Sequence, residues 1–225
     1  MMKQINEEDV KILFDSPYVR VADLQYAPGK HYYDATRREI KDLTAIKTDQ
    51  EFREMLPDAV SCFVILELPG EEPRLLLSRE YRYPTGRFML SVPAGLIDEE
   101  DRQKETEAAV LAATAREIQE ETGLTVRKER GDSVTIVNPL VFSTPGLTDE
   151  SNALVCAVLR PENLEELSQE GAVGSELFDG VRLLTKEMAM ETLRSGRDDE
   201  GNFYPLYTWA ALLYFVSGMW KEETR

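Results

Sequence analysis

The sequence predicts a mixed α/β protein, an α+β or α/β sandwich in which two or three helices pack on a mixed sheet. Three observations lead there. Short β-type runs bounded by Gly and Pro turns recur along the chain, a long acidic helical stretch sits near the middle, and two further helical stretches close it. No internal repeat and no low-complexity tract competes with that reading.

Taken in order, Val10–Phe14, Val19–Gln25 and His31–Arg37 read as short strands, with Pro28-Gly29 turning the last two. This part carries little apolar surface of its own and is expected to pack on another surface, in the same chain or a partner. Residues 47–56 are polar and suit one helical turn. Ala59–Leu68 is a buried strand, and Pro69-Gly70-Glu71-Glu72-Pro73 turns it into Arg74–Arg79. Met89–Val92 is the strand before a glycine loop. Glu105–Thr122 is the long acidic helix, with Ala109, Leu111, Ala112, Ala115 and Ile118 as its packing positions. Val134–Val141, Ala153–Leu159 and Leu177–Leu184 are strands. Lys186–Arg194 and Tyr204–Lys221 are helices, the second packing through Trp209, Leu212, Leu213 and Phe215. Residues 1–57 are set apart as an N-terminal β-strand element, and 58–225 as the main domain.

With 225 residues the chain can bury a sizeable core. Its formal charge of −16 argues against a nucleic-acid or anionic-membrane surface, either of which needs a basic patch. It does not argue against a phosphorylated substrate, because a bound cation inverts the local charge. Cys62 and Cys156 sit in apolar runs and read as small core hydrophobes rather than a disulfide. No apolar run is long enough to span a bilayer, and the charged start of the chain does not read as a signal peptide, so a reducing cytoplasm is expected. A single histidine, His31, nearly excludes His-based zinc sites and Ser-His-Asp triads.

Most of the chemistry is carried by residues 116–124, Arg-Glu-Ile-Gln-Glu-Glu-Thr-Gly-Leu. In a helix, positions three and four apart share a face, so Glu117, Glu120 and Glu121 project together. Carboxylates on one stripe repel unless a cation lies between them, and hard divalent ions, Mg²⁺ above all, take such oxygens. Arg116 lies four residues before Glu120 and can brace the cluster. Gly123 stands at the helix stop, where a left-handed residue is easiest for glycine. The plain alternative is a solvated charged face. The context favours a metal site, because Val92-Pro93-Ala94-Gly95-Leu96-Ile97-Asp98 runs a strand end into a glycine loop ahead of the helix.

That succession resembles the Nudix hydrolases, whose box runs Gly, five residues, Glu, seven residues, Arg-Glu, apolar, any, Glu-Glu, any, Gly, apolar. Gly95 and Arg116 lie farther apart than the pattern sets, with the surplus in the charged run 99–106. Counting back from Arg116, the first box glutamate falls on Ala108, with Glu107 one step off and Glu105 near. Glu80-Tyr81-Arg82-Tyr83-Pro84-Thr85-Gly86 and Ser143-Thr144-Pro145-Gly146-Leu147-Thr148-Asp149-Glu150 resemble the ADP-ribose pyrophosphatase, or ADP-sugar, branch, which a proline downstream of the box marks; Pro145 matches it.

The resemblance implies a Nudix α/β/α sandwich preceded by the small β-strand element, and Mg²⁺-dependent hydrolysis of ADP-ribose to AMP and ribose 5-phosphate, with Mn²⁺ as a substitute ion. It implies metal at the Ala94 carbonyl, Glu117 and Glu121, with Glu120 sharing a bridging ion. It implies diphosphate or ribose contact by Arg82, adenine between Tyr18 and Tyr33, and phosphate contact by Arg38. Glu176, or else Glu170, would serve as base from the loop before the Leu177 strand. Ser91 departs from the many relatives that carry glutamate there. The alternatives are another nucleotide sugar or dinucleotide (GDP-mannose, NADH) and a non-catalytic ligand sensor, which the three intact box carboxylates disfavour. The resemblance also implies a homodimer built through the N-terminal strands.

Overall fold

The computed structural model describes residues 4–171 and 176–221. The chain divides into two compact units, Met1–Asp58 with Leu140–Asn152, and Ala59–Pro139 with Ala153–Arg225.

In the first unit, β1 (Val10–Asp15), β2 (Arg20–Ala27) and β3 (Lys30–Thr36) form an antiparallel sheet in the order β1-β2-β3. Gly29 turns β2 into β3 in the left-handed conformation, φ 66°. The expectation that this part lacks an apolar face of its own is corrected. Ala22, Leu24 and Leu43 are buried together, with Ile5, Val10, Ile12, Ile40 and Ile46 packed on them. Leu43, Ile40 and Ile46 come from the 40–46 segment, two short 3-10 turns that carry no periodicity of their own. Helix α1 (Asp49–Arg53) is a single capped turn, with the Thr48 hydroxyl accepting from the Glu51 amide. The 140–152 segment is fastened to the unit at several points: the Ala35 amide donates to the Leu147 carbonyl at 2.9 Å, and both the Ser151 amide and its hydroxyl donate to Asp58.

The second unit is built on the sheet β10-β5-β4-β9-β8, with β6 added on β5 and β7 on β4. Its strands are β4 (Ala59–Leu66), β5 (Arg74–Arg82), β6 (Arg87–Ser91), β7 (Ala94–Leu96), β8 (Ser133–Phe142), β9 (Ser151–Leu159) and β10 (Phe178–Leu184). Every residue of β4 is buried, as expected of a central strand covered on both faces. Alternation along the strand sorts its side chains. Phe63 and Ile65 join Leu75, Leu77, Leu212, Phe215 and Trp220 in the main core beside α3 (Lys186–Ser195) and α4 (Leu206–Ser217). Cys62 points the other way, toward Thr114, Glu117 and Glu121 of α2 (Thr106–Thr122). Both cysteines are buried and outside any disulfide. No helix among the described residues is long and apolar enough to cross a membrane.

Two helix faces depart from the sequence reading. In α2 the buried positions are Ala109, Val110, Ala113, Thr114, Glu117, Ile118, Glu121 and Thr122, while Ala115 is exposed and Leu111 and Ala112 are half-buried. Two carboxylates occupy the inward stripe, so apolar periodicity alone misphases it. In α4, Leu212 and Phe215 are buried but Trp209 and Leu213 are exposed. Thr208 takes an inward position instead, its hydroxyl donating to the Leu90 carbonyl at 2.7 Å. Strand β7 has no counterpart in the sequence reading, because three residues around a glycine carry no strand pattern.

Candidate active site

The glycine loop and α2 meet through backbone and carboxylate. The Ala94 amide donates to Glu121 Oε1 at 2.9 Å, and Glu121 Oε2 is buried without a hydrogen-bond partner. A Cβ on Gly95 would overlap the Glu117 carboxylate, so only glycine lets β7 run this close to α2. The far end of α2 is fitted as tightly. Gly123 closes the helix at φ 76°, and a Cβ there would lie 2.5 Å from the Glu166 carbonyl oxygen. A Cβ on Gly171 would lie 2.5 Å from the Glu120 carbonyl oxygen. The 166–171 segment therefore lies directly against the carboxylate-bearing turn.

Arg116 spans the cluster. Its guanidinium donates to Glu117 Oε1 at 2.6 Å and Glu120 Oε2 at 3.4 Å, and reaches back to the Leu96 carbonyl at 2.7 Å. Its Nε also pairs with Asp98 at 3.1 Å. Burial opposes the Arg116 charge, but Glu117, Asp98 and Glu120 together hold the guanidinium above its ordinary basicity. Among the described residues no three acidic, imidazole or thiol groups converge into a metal-ligand set; Glu117 and Glu120 are drawn to Arg116 instead.

Charge burial marks the site nonetheless. Glu121 is 3% exposed and Glu117 5%. Burial pushes Glu121 up to about 9, with the Ala94 amide opposing and the charges of Glu80, Glu117 and Glu176 adding. Burial pushes Glu117 up to about 7, against the pull of Arg116 and with Glu120 and Glu176 adding. Buried carboxyl groups pushed this far from their ordinary range concentrate at functional sites. The donor set fits a hard divalent ion: hard oxygens only, one buried carboxylate oxygen left unmatched, and buried charge that a cation would compensate.

Glu176 is exposed and belongs to the same cluster electrostatically, since its charge acts on Glu80, Glu117 and Glu121. Glu170 is anchored through its backbone, its amide donating to the Ser168 hydroxyl. Glu80 is a cluster member that the sequence reading assigned no role. A signal was available, because it lies two residues before Arg82 on one strand and so on the same face. Arg82 Nη2 pairs with Glu80 Oε2 at 2.5 Å.

The remaining expected residues lie in the first unit. Tyr33 and Pro145 line one cavity of about 340 Å³ with Leu24, Phe52, Phe142 and Leu147. The Phe52 and Phe142 rings stack at 6.0 Å. Asp34 also lines it, raised to about 6 by burial and by the charge of Asp149, with the Asp149 amide and Arg38 opposing. Tyr18 is not among the lining residues; it stands 79% exposed in the β1–β2 turn. Arg38 is not free for a phosphate: it pairs with Asp58 at 2.5 Å and Asp149 at 3.3 Å, a nearly buried strut inside the unit. In the 99–106 run, Asp101–Gln103 forms a 3-10 turn with Asp101 buried against Lys104, and α2 starts at Thr106.

Comparisons with known proteins agree with this architecture. Residues 55–207 match the NUDIX domain. An uncharacterised Nudix hydrolase of Schizosaccharomyces pombe is 32% identical over 111 residues, 47% of this chain and 46% of that protein. The chain thus spans about half the length of that relative. An ADP-ribose pyrophosphatase of Saccharomyces cerevisiae is 28% identical over 168 residues, 72% of this chain and 66% of that one. The crystal structure of an ADP compounds hydrolase superposes with a TM-score of 0.55, covering 99% of this chain and 97% of that chain at 19% identity, a likeness of fold. With the NUDIX match running from ahead of β4 to the start of α4, and the acidic helix and glycine loop meeting within it, this chain belongs to the Nudix family.

Proposed function

We propose that the protein hydrolyses the diphosphate of a nucleoside diphosphate sugar with the help of Mg²⁺, converting ADP-ribose to AMP and ribose 5-phosphate. The observation that carries this reading is the pair of buried α2 carboxylates, Glu117 and Glu121, set beneath a glycine loop that only glycine permits. The Saccharomyces cerevisiae relative named ADP-ribose pyrophosphatase supports the substrate class.

Glu117, Glu120, Glu121 and the Ala94 carbonyl would hold the ion, with Mn²⁺ as a substitute. When bound, a divalent ion supplies charge stabilisation for the phosphate oxygens and an acidified water. The chain's own groups do the rest. Arg116 keeps Glu117 and Glu120 oriented along one edge of the cluster. Arg82 presents a half-exposed guanidinium suited to diphosphate oxygens. Glu176 accepts the proton of the attacking water, with Glu170 as the alternative base. Water adds to one phosphorus, the bridging P–O bond breaks, and each product keeps one phosphate. Tyr33, Pro145 and the Phe52–Phe142 pair offer flat apolar surface for a base. A homodimer built through the N-terminal strands and a cytoplasmic location complete the reading, the latter supported by two buried cysteines that are not joined in a disulfide.

The test is a panel of ADP-ribose, GDP-mannose, UDP-glucose and NADH with Mg²⁺, scored by released mononucleotide. A clear preference for ADP-ribose is expected. Comparable kcat/KM across the panel would defeat the substrate assignment, and no release from any member would defeat the hydrolase reading.

A further inference from the structure

Strand β5 carries Ser78, Glu80 and Arg82 on one face, opposite the face of Leu75 and Leu77, which enter the main core. Its partner β6 runs antiparallel, with Ser78 across from Ser91 and Glu80 across from Met89. Ser91 is therefore the diagonal neighbour of Glu80, within side-chain reach. The Ser91 hydroxyl favours the charged form of the Glu80 carboxylate, and it accepts from Arg82 Nη2 at 3.5 Å. The Glu80–Arg82 pair closes the triangle at 2.5 Å, with the Glu80 side chain 12% exposed and Arg82 41%. The polar track continues inward, because the Gln169 amide donates to the Ser78 hydroxyl at 3.2 Å.

Two features make this more than an incidental surface pair. Exposed ion pairs hold little geometry, because two long side chains lose as much in entropy as they gain in attraction. Here the carboxylate end is nearly buried and set on the diagonal from a buried serine, so mainly the guanidinium end has freedom to lose. The anchor also belongs to the catalytic scaffold, since Ser91 lies three residues before Ala94, whose amide holds Glu121.

We propose that Glu80 is a positioning residue: together with the Ser91 hydroxyl, it holds the Arg82 guanidinium at the edge of the carboxylate cluster, ready for the second phosphate of a nucleoside diphosphate. The assignment rests on the hydrolase reading above. Glu80 acts through Arg82, touching neither the substrate nor the ion. Its carboxylate takes one guanidinium donor and leaves the others free for phosphate oxygens.

The experiment measures ADP and AMP binding by calorimetry, with Mg²⁺ present, for the unaltered protein and for E80A, E80Q, R82A and E80A/R82A, each first checked for cooperative thermal unfolding. R82A and E80A are each expected to weaken ADP about tenfold, the scale of one charge-assisted contact, and AMP less than about threefold. E80Q keeps an acceptor for Arg82 and should stay within about threefold of the unaltered protein for ADP. Removing Glu80 in the R82A background should change nothing further, because a residue acting through another has no effect once that other is gone. Multiplicative losses in the double variant, or an E80A protein that binds ADP normally, would overturn the proposal. So would an E80A defect confined to Mg²⁺ affinity, which would make Glu80 an ion ligand. An unaltered protein that binds no ADP overturns the nucleotide reading and this proposal together, whereas normal ADP binding with an indifferent E80A overturns this proposal alone.

Discussion

Glu121 keeps one carboxylate oxygen on the Ala94 amide and leaves the other buried without a partner. Its folded value of about 9 stands above the ordinary 4.5, so the folded state holds a proton that the unfolded chain releases earlier. That contribution to stability is fully present below the ordinary value and is lost as pH rises toward the folded one. Metal-free protein should therefore melt at lower temperature as pH goes from about 5 to 9. Saturating Mg²⁺ should flatten the decline, and so should Glu121→Gln, which carries no buried charge; a scanning calorimetry series decides. The same variant should retain the fold with Mg²⁺ present yet lose several powers of ten in turnover, because an ion's charge stabilisation is worth several kcal/mol. Near-normal turnover would sink the metal assignment. Tyr33 lines the first unit's cavity, and the proposed function gives it a part in binding rather than in chemistry. Stacking on one aromatic ring contributes about 1–3 kcal/mol. Tyr33→Ala should thus raise KM for ADP-ribose about ten- to a hundredfold while kcat falls less, the mark of lost uniform binding. An unchanged KM would remove Tyr33 from the site.

Helix α2 shows how one element can be legible in extent and misread in orientation. Its limits, Thr106–Thr122, follow closely from the sequence pattern and the Gly123 stop. Its inward stripe does not, because Glu117 and Glu121 replace apolar side chains at buried positions. What permits that burial is the approach of β7, and Gly95 governs the approach. Gly95→Ala places a Cβ into the Glu117 carboxylate, so the helix or the loop must give. Overpacking of this kind costs about 1–3 kcal/mol. Denaturant unfolding of Gly95→Ala should show that loss together with weaker Mg²⁺ binding. Normal stability and normal metal affinity would mean that the close approach is dispensable.

At the scale of the whole molecule, the N-terminal strands are more than an arm. They hold a small core of their own and fasten the 140–152 segment, which carries Pro145. Deleting residues 1–38 removes β1, β2 and β3 and strips the partners of that segment. The truncated protein should be inactive or poorly soluble, since apolar surface is uncovered. The full-length protein should scatter light as a dimer. A full-length monomer, or full activity in the truncated form, would refute a dimer whose strands complete the site.

The sequence by itself determined most elements and nominated the candidate site: Glu117, Glu120, Glu121, Arg116 and Gly95 stand out because helical spacing and a glycine stop are local properties of the chain. The resemblance of residues 143–150 to the ADP-sugar branch singled out Pro145. Only the tertiary structure decided that Arg38 is a strut between Asp58 and Asp149. Only it placed 140–152 with the N-terminal strands, turned Glu117 and Glu121 inward, and joined Glu80 to Arg82 and Ser91. The physical reason is the same in each case. Burial and ion pairing between residues far apart in sequence depend on which surfaces meet, and a one-dimensional pattern of polarity does not encode which charge will find its partner.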